Sequence, residues 1–71
     1  YPNPALDYII VNSGNTLENI TLFDISGKQI LSKDYETSQK ATLNLTGITP
    51  GVYLLKIKDT EEDLTKRIIV N

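Results

Sequence analysis

Six short runs of alternating apolar and polar residues, each closed by turn-forming residues, constrain the fold of this chain more than any other feature. Val, Ile and Thr supply 20 of its 71 residues, and their branched Cβ atoms suit a pleated strand better than a helix. No segment keeps apolar residues at positions i, i+3, i+4 and i+7 over three turns. The pattern therefore predicts an antiparallel all-β domain.

The alternating runs predict six strands, at residues 7–12, 17–25, 29–35, 41–45, 52–58 and 64–70. Ser26-Gly27 is predicted to close a hairpin between the second and third strands, because Gly takes a positive φ without steric cost. Residues 46–51 are rich in turn formers and are predicted to connect the fourth and fifth strands.

One open sheet of this size would leave an apolar face in water, so two sheets packed face to face are predicted. The side chains that alternate onto the inward faces form the predicted core: Ile9, Val11, Ile20, Leu22, Ile30, Leu43, Leu45, Tyr53, Leu55, Ile57 and Ile68. The placement of Phe23, Leu54 and Ile69 stays open. They are either half-exposed or packed against something outside the domain.

Residue types that carry chemistry are scarce. The chain has no Cys and no His, which removes disulfides, thiolate metal sites and the commonest general base. Its serines cannot form a hydrolytic triad without a His. Asp24 and Asp34 could form a carboxylate pair, but strand positions facing solvent or turn caps account for both. We therefore predict no enzyme activity, no catalytic residue, no metal and no cofactor.

Charge and length exclude further classes. Nine acidic and seven basic residues give a net charge of -2, whereas a face that binds nucleic acid needs a basic excess. Glu61-Glu62-Asp63 is interpreted as a solvated turn, because adjacent carboxylates on an extended backbone point in different directions. No nucleic acid and no small-molecule ligand are expected as partners. Residues 1–71 are predicted to form a single domain.

Four motifs follow one another along the chain. Tyr1-Pro2-Asn3-Pro4 opens it, Asp24-Ile25-Ser26-Gly27-Lys28 lies in the middle, Pro50-Gly51-Val52-Tyr53 comes near the end, and residues 65–70 close it. Singly, each is ordinary strand punctuation: Gly and Pro form bends, and Tyr53 buries its ring while its hydroxyl finds a partner.

Taken in this order over the whole chain, the motifs resemble the type A C-terminal sorting domain of proteins exported by the type IX (Por) secretion system of Bacteroidetes. The motif positions that carry the resemblance are Tyr1, Pro2, Asn3, Pro4, Asp24, Gly27, Lys28 and Pro50.

This resemblance implies an immunoglobulin-like antiparallel β-sandwich of about seven strands. It implies that the chain is a fragment of a larger secreted precursor, and that it serves as the C-terminal sorting signal. Such a signal directs a covalently fused upstream cargo protein across the outer membrane and is then usually cleaved off. The implied partners are the outer-membrane translocon and a sortase-like peptidase. The implied location is secreted or at the cell surface, reached through the periplasm.

A receptor that reads such a signal needs a rigid surface, and an edge strand can be read by pairing with a strand of the partner. We expect the last strand to lie at an edge, beside the strand that begins near Gly51, and to form the main recognition surface. The residues assigned to this surface are Gly51, Tyr53, Lys66, Arg67, Ile68, Ile69 and Val70. The alternative is a plain core strand pair in which Lys66 and Arg67 only guard the edge against aggregation.

Two other function classes stay open. An immunoglobulin-like adhesion or carbohydrate-binding module would present aromatic rings to sugars, and the rings available are those of Tyr1, Tyr8, Phe23, Tyr35 and Tyr53. A structural spacer domain of a secreted enzyme would be followed by more chain in the precursor, whereas a sorting domain ends it.

Overall fold

A computed structural model of the chain describes residues 8–70. They form six strands: β1 (Tyr8–Asn12), β2 (Leu17–Asp24), β3 (Gln29–Asp34), β4 (Lys40–Asn44), β5 (Gly51–Asp59) and β6 (Asp63–Val70). These bounds agree with the predicted ones to within one residue. Asp7, predicted to begin the first strand, lies outside the described residues. Six strands are present in this range, whereas the resemblance implies about seven.

Two antiparallel sheets make up the fold. The larger has the strand order β3-β2-β5-β6, and the smaller pairs β1 with β4. The predicted hairpin of β2 and β3 is confirmed, with Thr21 opposite Ser32. β6 pairs with β5 from Val70 opposite Gly51 to Asp63 opposite Lys58. The prediction that the last strand lies at an edge beside the fifth is therefore confirmed for the described strands.

Both sheets contribute to one hydrophobic cluster, as in a small β-sandwich. Most of the predicted core is buried, namely Val11, Ile20, Leu22, Leu43, Leu45, Tyr53, Leu55 and Ile57, while Ile9 and Ile68 are partly buried against it. Leu17, Ala41 and Val70 belong to the cluster as well. Each fully buried aliphatic side chain contributes about 1.5–3 kcal/mol relative to an exposed one, so this cluster holds the two sheets together.

The prediction of Ile30 as a core residue is wrong, because this side chain is 38% exposed. Leu22 lies opposite Leu31, and the next residue of β2, Phe23, lies opposite Gln29. Ile30 is thus the extra residue of a β-bulge, which interrupts the alternation along β3. Leu31 packs against the core instead.

The outer face of the larger sheet carries the three side chains whose placement was open. Phe23 lies opposite Leu54, and Ile69 lies opposite Val52. Phe23, Leu54 and Ile69 are all partly buried. Because directly opposed residues share a face, each half-exposed side chain is covered in part by its neighbour across the strands.

Candidate recognition surface

The last strand combines an edge position with exposed charge. Among the described strands, β5 is the one neighbour of β6. The side chains of β6 from Asp63 to Arg67 are exposed, those of Ile68 and Ile69 are partly buried, and that of Val70 is buried. An edge strand can accept a strand from another protein through main-chain hydrogen bonds. We call residues 63–68 on the side away from β5 the β6 edge.

Strand alternation divides the predicted recognition residues between the two faces of the sheet. Lys66, Ile68 and Val70 lie opposite Leu55, Tyr53 and Gly51, on the face that looks toward the core. Arg67 and Ile69 lie on the outer face, opposite Leu54 and Val52. Tyr53 and Val70 are buried. In this position they hold the strand pair in place and offer no surface to a partner.

The charges of Lys66 and Arg67 have no ionic partner within residues 8–70. Both side chains are exposed in the middle of β6. A cation at the rim of a sheet keeps its full attraction for an incoming carboxylate when no neighbour neutralises it. The β6 edge therefore offers backbone groups and two adjacent positive charges together.

Tyr53 fixes the bend that leads into β5. Its ring is buried, and its hydroxyl donates a hydrogen bond to the carbonyl oxygen of Thr49. The prediction that Tyr53 buries its ring while its hydroxyl finds a partner is confirmed. A Cβ at Gly51 would lie 3.7 Å from Cε1 of Tyr53. Gly51 thus lies against the ring, at the start of β5 and opposite Val70 at the end of β6.

Asp24 organises the turn between β2 and β3. Its Oδ1 accepts hydrogen bonds from the hydroxyl of Ser26 at 2.6 Å and from the backbone N–H groups of Ser26 and Lys28, both at 2.9 Å. The Ser26 hydroxyl, followed by the Lys28 N–H, lowers the pKa of Asp24. Gly27 has a φ of 92°, which residues with a Cβ rarely adopt. The middle motif, residues 24–28, is therefore a turn fixed by the hydrogen bonds of Asp24 and by the positive φ of Gly27.

Asp59 plays the same role between β5 and β6 and adds a long-range bond. Its Oδ1 accepts from the backbone N–H groups of Glu61 and Glu62, each at 2.8 Å. Its Oδ2 accepts from the hydroxyl of Ser13 at 2.9 Å. The Glu61 and Glu62 N–H groups, and then the Ser13 hydroxyl, lower the pKa of Asp59. Sequence reasoning missed this link, because no local pattern connects residues in distant turns.

The outer face of the β2–β3 hairpin carries four polar side chains that satisfy one another. Asn19 Nδ2 donates to Ser32 Oγ at 3.0 Å and to Asp34 Oδ1 at 2.8 Å. Thr21 Oγ1, which is buried, donates to Asn19 Oδ1 at 2.6 Å and lies 3.0 Å from Ser32 Oγ. Asp34 is thus held in this network and Asp24 in its turn. We call Asn19, Thr21, Ser32 and Asp34 the β3 network.

The aromatic side chains do not form a shared platform in the described range. Tyr8 is exposed on β1, Phe23 and Tyr35 are partly buried, and Tyr53 is in the core. Within residues 8–70 the buried Tyr35 hydroxyl has no hydrogen-bond partner, and desolvation raises the pKa of Tyr35. Tyr1 lies outside the described residues.

No group of three or more His, Cys, Asp or Glu side chains within residues 8–70 converges as a metal site. In the same range no helix is long and apolar enough to cross a membrane.

Comparison with known families gives one match over the full length of the chain. The family model of the secretion system C-terminal sorting domain matches residues 1–71. No curated protein and no solved structure shows significant similarity to the chain. The match includes the motif Tyr1-Pro2-Asn3-Pro4, which lies outside the described residues. It confirms the resemblance seen in the four motifs: the chain belongs to the family of secretion system C-terminal sorting domains, which are sorting signals of the type IX secretion system.

Proposed function

We propose that this sorting signal is read as a folded surface, and that the outer-membrane translocon binds it along the β6 edge. The observation that carries the proposal is the position of β6 at the rim of the larger sheet, with Lys66 and Arg67 exposed. A strand in this position offers main-chain groups for pairing and side chains for selectivity.

The recognition residues divide into two roles in this proposal. Lys66 and Arg67 contact the translocon directly, with Ile68 and Ile69 contributing apolar surface beside them. Gly51, Tyr53 and Val70 act as positioning residues, because the buried ring and the bend before β5 hold the end of β6 in register. The motif residues Asp24, Gly27 and Lys28 act in the same way at the opposite hairpin.

The remaining steps of export concern partners outside the domain. The family assignment indicates a secreted or cell-surface protein. We propose that the translocon meets the folded domain in the periplasm, and that the domain carries a covalently fused cargo protein across the outer membrane. A sortase-like peptidase then removes the domain. The domain supplies the address and no chemistry of its own, in keeping with a chain that contains no His and no Cys.

We also infer that the sandwich is of the immunoglobulin type. Tyr53 supports this inference, since its buried ring and its hydroxyl bond to a carbonyl four residues upstream match the tyrosine corner of such domains. Two antiparallel sheets around one core are a second feature in favour.

The decisive experiment reverses the charges of the β6 edge. The full chain is fused to a secreted reporter in a bacterium with a type IX secretion system. We expect Lys66→Glu combined with Arg67→Glu to lower surface delivery by about tenfold or more, because a desolvated contact with a reversed charge is repulsive. Lys33→Glu combined with Lys40→Glu is the matched control. It makes the same charge change on β3 and β4 and should leave delivery unchanged.

Folding is monitored in parallel by circular dichroism and thermal unfolding of the purified variants. Both reversed residues are exposed, so the variant should unfold at nearly the same temperature as the parent. Deletion of residues 66–71 is a weaker test on its own, because it removes the buried Val70 and disturbs the core. Normal delivery of the folded charge-reversed variant would overturn the proposal.

A further inference from the structure

We infer that the strand which pairs with the β6 edge carries two adjacent acidic side chains at its centre, and that Lys66 and Arg67 exclude a second copy of this chain from the same edge. The first part rests on the proposed function, since it names the chemistry of the partner at that site. The inference follows from the regularity of β6, the position of its two cations and the geometry of strand pairing.

Regular pairing makes the side-chain positions at the β6 edge calculable. β6 pairs with β5 residue for residue, without a bulge. A strand added on the other side continues the same pleat, so directly opposed side chains share a face. A side chain opposite Lys66 then lies on the inner face, and one opposite Arg67 lies on the outer face. Because both cations are in the middle of β6, a partner strand spanning the edge meets them both.

A second copy of the chain fits this edge poorly. Two β6 strands would pair in antiparallel fashion about a twofold axis. In the register centred on Lys66 the two symmetry-related ammonium groups face each other, and in the register centred on Arg67 the two guanidinium groups do so. These two registers pair residues 63–69 and 64–70 while keeping both cores on the same side of the combined sheet. The register centred on Thr65, which sets Asp63 opposite Arg67, pairs only residues 63–67. Like charges directly opposite each other destabilise a strand pair.

A different partner can turn the same charges into attraction. Asp or Glu opposite Lys66 and opposite Arg67 forms two cross-strand ion pairs, one on each face. Neither cation has an ionic partner within residues 8–70 to compete for it. Ile68 is partly buried on the inner face, so the partner residue opposite it should be apolar. The fitting occupant is therefore an extended segment with two neighbouring acidic residues beside β-branched or apolar ones.

Binding of model peptides tests the acidic preference. The probes are two labelled peptides of Thr, Val and Ile that differ only at the two central positions, Glu-Asp in one and Lys-Lys in the other. We expect the acidic peptide to bind the full chain about tenfold more tightly, as two attractive pairs replace two repulsive ones. Lys66→Glu combined with Arg67→Glu should reverse the preference. Equal binding of the two peptides, or a preference that does not reverse, would overturn the inference.

Self-association tests the exclusion of a second copy. Lys66→Thr combined with Arg67→Thr keeps strand propensity and removes the repulsion. In sedimentation velocity we expect dimers of this variant at concentrations where the parent chain is monomeric. Lys33→Thr combined with Lys40→Thr, the matched control, should stay monomeric. A neutral β6 variant that remains monomeric, or a parent chain that dimerises through β6, would overturn the exclusion.

These measurements need no translocon, so they separate the inference from the proposed function. Loss of export in the charge-reversed variant without a peptide preference would reject the acidic partner strand and leave the β6 edge as the recognition surface. A clear peptide preference with normal export would reject the β6 edge as the recognition surface in the cell and leave its charge selectivity standing.

Discussion

The two edges of the larger sheet differ in length and regularity. β3 has six residues, its pairing with β2 is broken by the bulge at Ile30, and its Ser32 and Asp34 are bonded to Asn19 of β2. β6 has eight residues and pairs without interruption. Short, bulged edges resist the addition of a further strand, whereas long, regular ones accept it. Among the described strands, the larger sheet thus has one edge that resists strand addition and one whose length and regularity favour it.

The largest expected effect on stability is at Leu22, on the inner strand β2. Leu22 is fully buried and lies opposite Leu31 of β3 and Leu55 of β5. Leu22→Ala should lower the free energy of unfolding by about 2–5 kcal/mol, which approaches the whole stability of a domain of this size. Leu64→Ala on β6, where the side chain is 43% exposed, should cost less than about 1 kcal/mol. Chemical denaturation measures both.

Similar losses of unfolding free energy for Leu22→Ala and Leu64→Ala would contradict the comparison, because the β6 edge would then stabilise the fold as much as the core does. A small loss of unfolding free energy for Leu64→Ala would support the comparison, since exposed positions that contribute little to stability can carry the residues that a partner requires.

An intermediate effect is expected in the β3 network. Thr21→Val removes the hydroxyl that donates to Asn19 and contacts Ser32, and should lower the free energy of unfolding by about 0.5–1.5 kcal/mol. Thr65→Val makes the same change at an exposed position of β6 and should be neutral within about 0.5 kcal/mol. Urea denaturation compares the two. If Thr65→Val proved the more harmful, the view that only the β3 edge is tied down by its side chains would fail.

The smallest effects concern the two aspartates that hold the hairpin turns. The pKa of Asp24 and that of Asp59 are both below the ordinary value of 3.8. A carboxyl whose pKa is lowered in the folded state stabilises the protein above about pH 3.8, and this contribution is lost as the pH falls through the folded pKa. Both edge hairpins should therefore loosen in the same acidic range, which nuclear magnetic resonance titration of the carboxyl carbons measures.

Ser13 provides the variant that distinguishes the two turns. Ser13→Ala removes the hydrogen bond to Asp59 and the one that Ser13 Oγ accepts from the Asn15 N–H, and neither involves Asp24. The pKa of Asp59 should therefore rise toward 3.8 while that of Asp24 stays in place. Ser26→Ala is the matched variant and should raise the pKa of Asp24 alone. Equal responses of both carboxyls to Ser13→Ala would mean that the two turns are coupled through the fold.

The strand bounds were predictable because period-two alternation and Gly- or Pro-containing turns are local signals. Ile30 could not be placed, since its bulge arises from the pairing of β3 with β2. The burial of Leu17 was not predicted, for the same reason. Simple alternation sets it on the face of Thr21 and Phe23, but an irregularity between Leu17 and Asn19 in the pairing with β5 accompanies its burial in the core.

The candidate site was partly readable from the sequence. The edge position of the last strand was predicted and is present among the described strands, and Lys66 and Arg67, which were assigned to the recognition surface, are exposed. The burial of Tyr53 was predicted from the sequence and is present, whereas the burial of Val70 at the end of β6 was not predicted. The bond between Ser13 and Asp59 belongs to the same category, because each residue alone looks like an ordinary turn former.

That bond has a mechanical consequence. A second hydrogen bond, from the N–H of Thr60 to the carbonyl of Thr16 at 3.0 Å, joins the same two loops. The turn after β1 and the turn before β6 are therefore anchored to each other, although the two strands belong to different sheets. A pull exerted on β6 is transmitted to β1 through this anchor without first passing across the apolar interior. A force applied at β6 and one applied at β1 are thus coupled through these two hydrogen bonds.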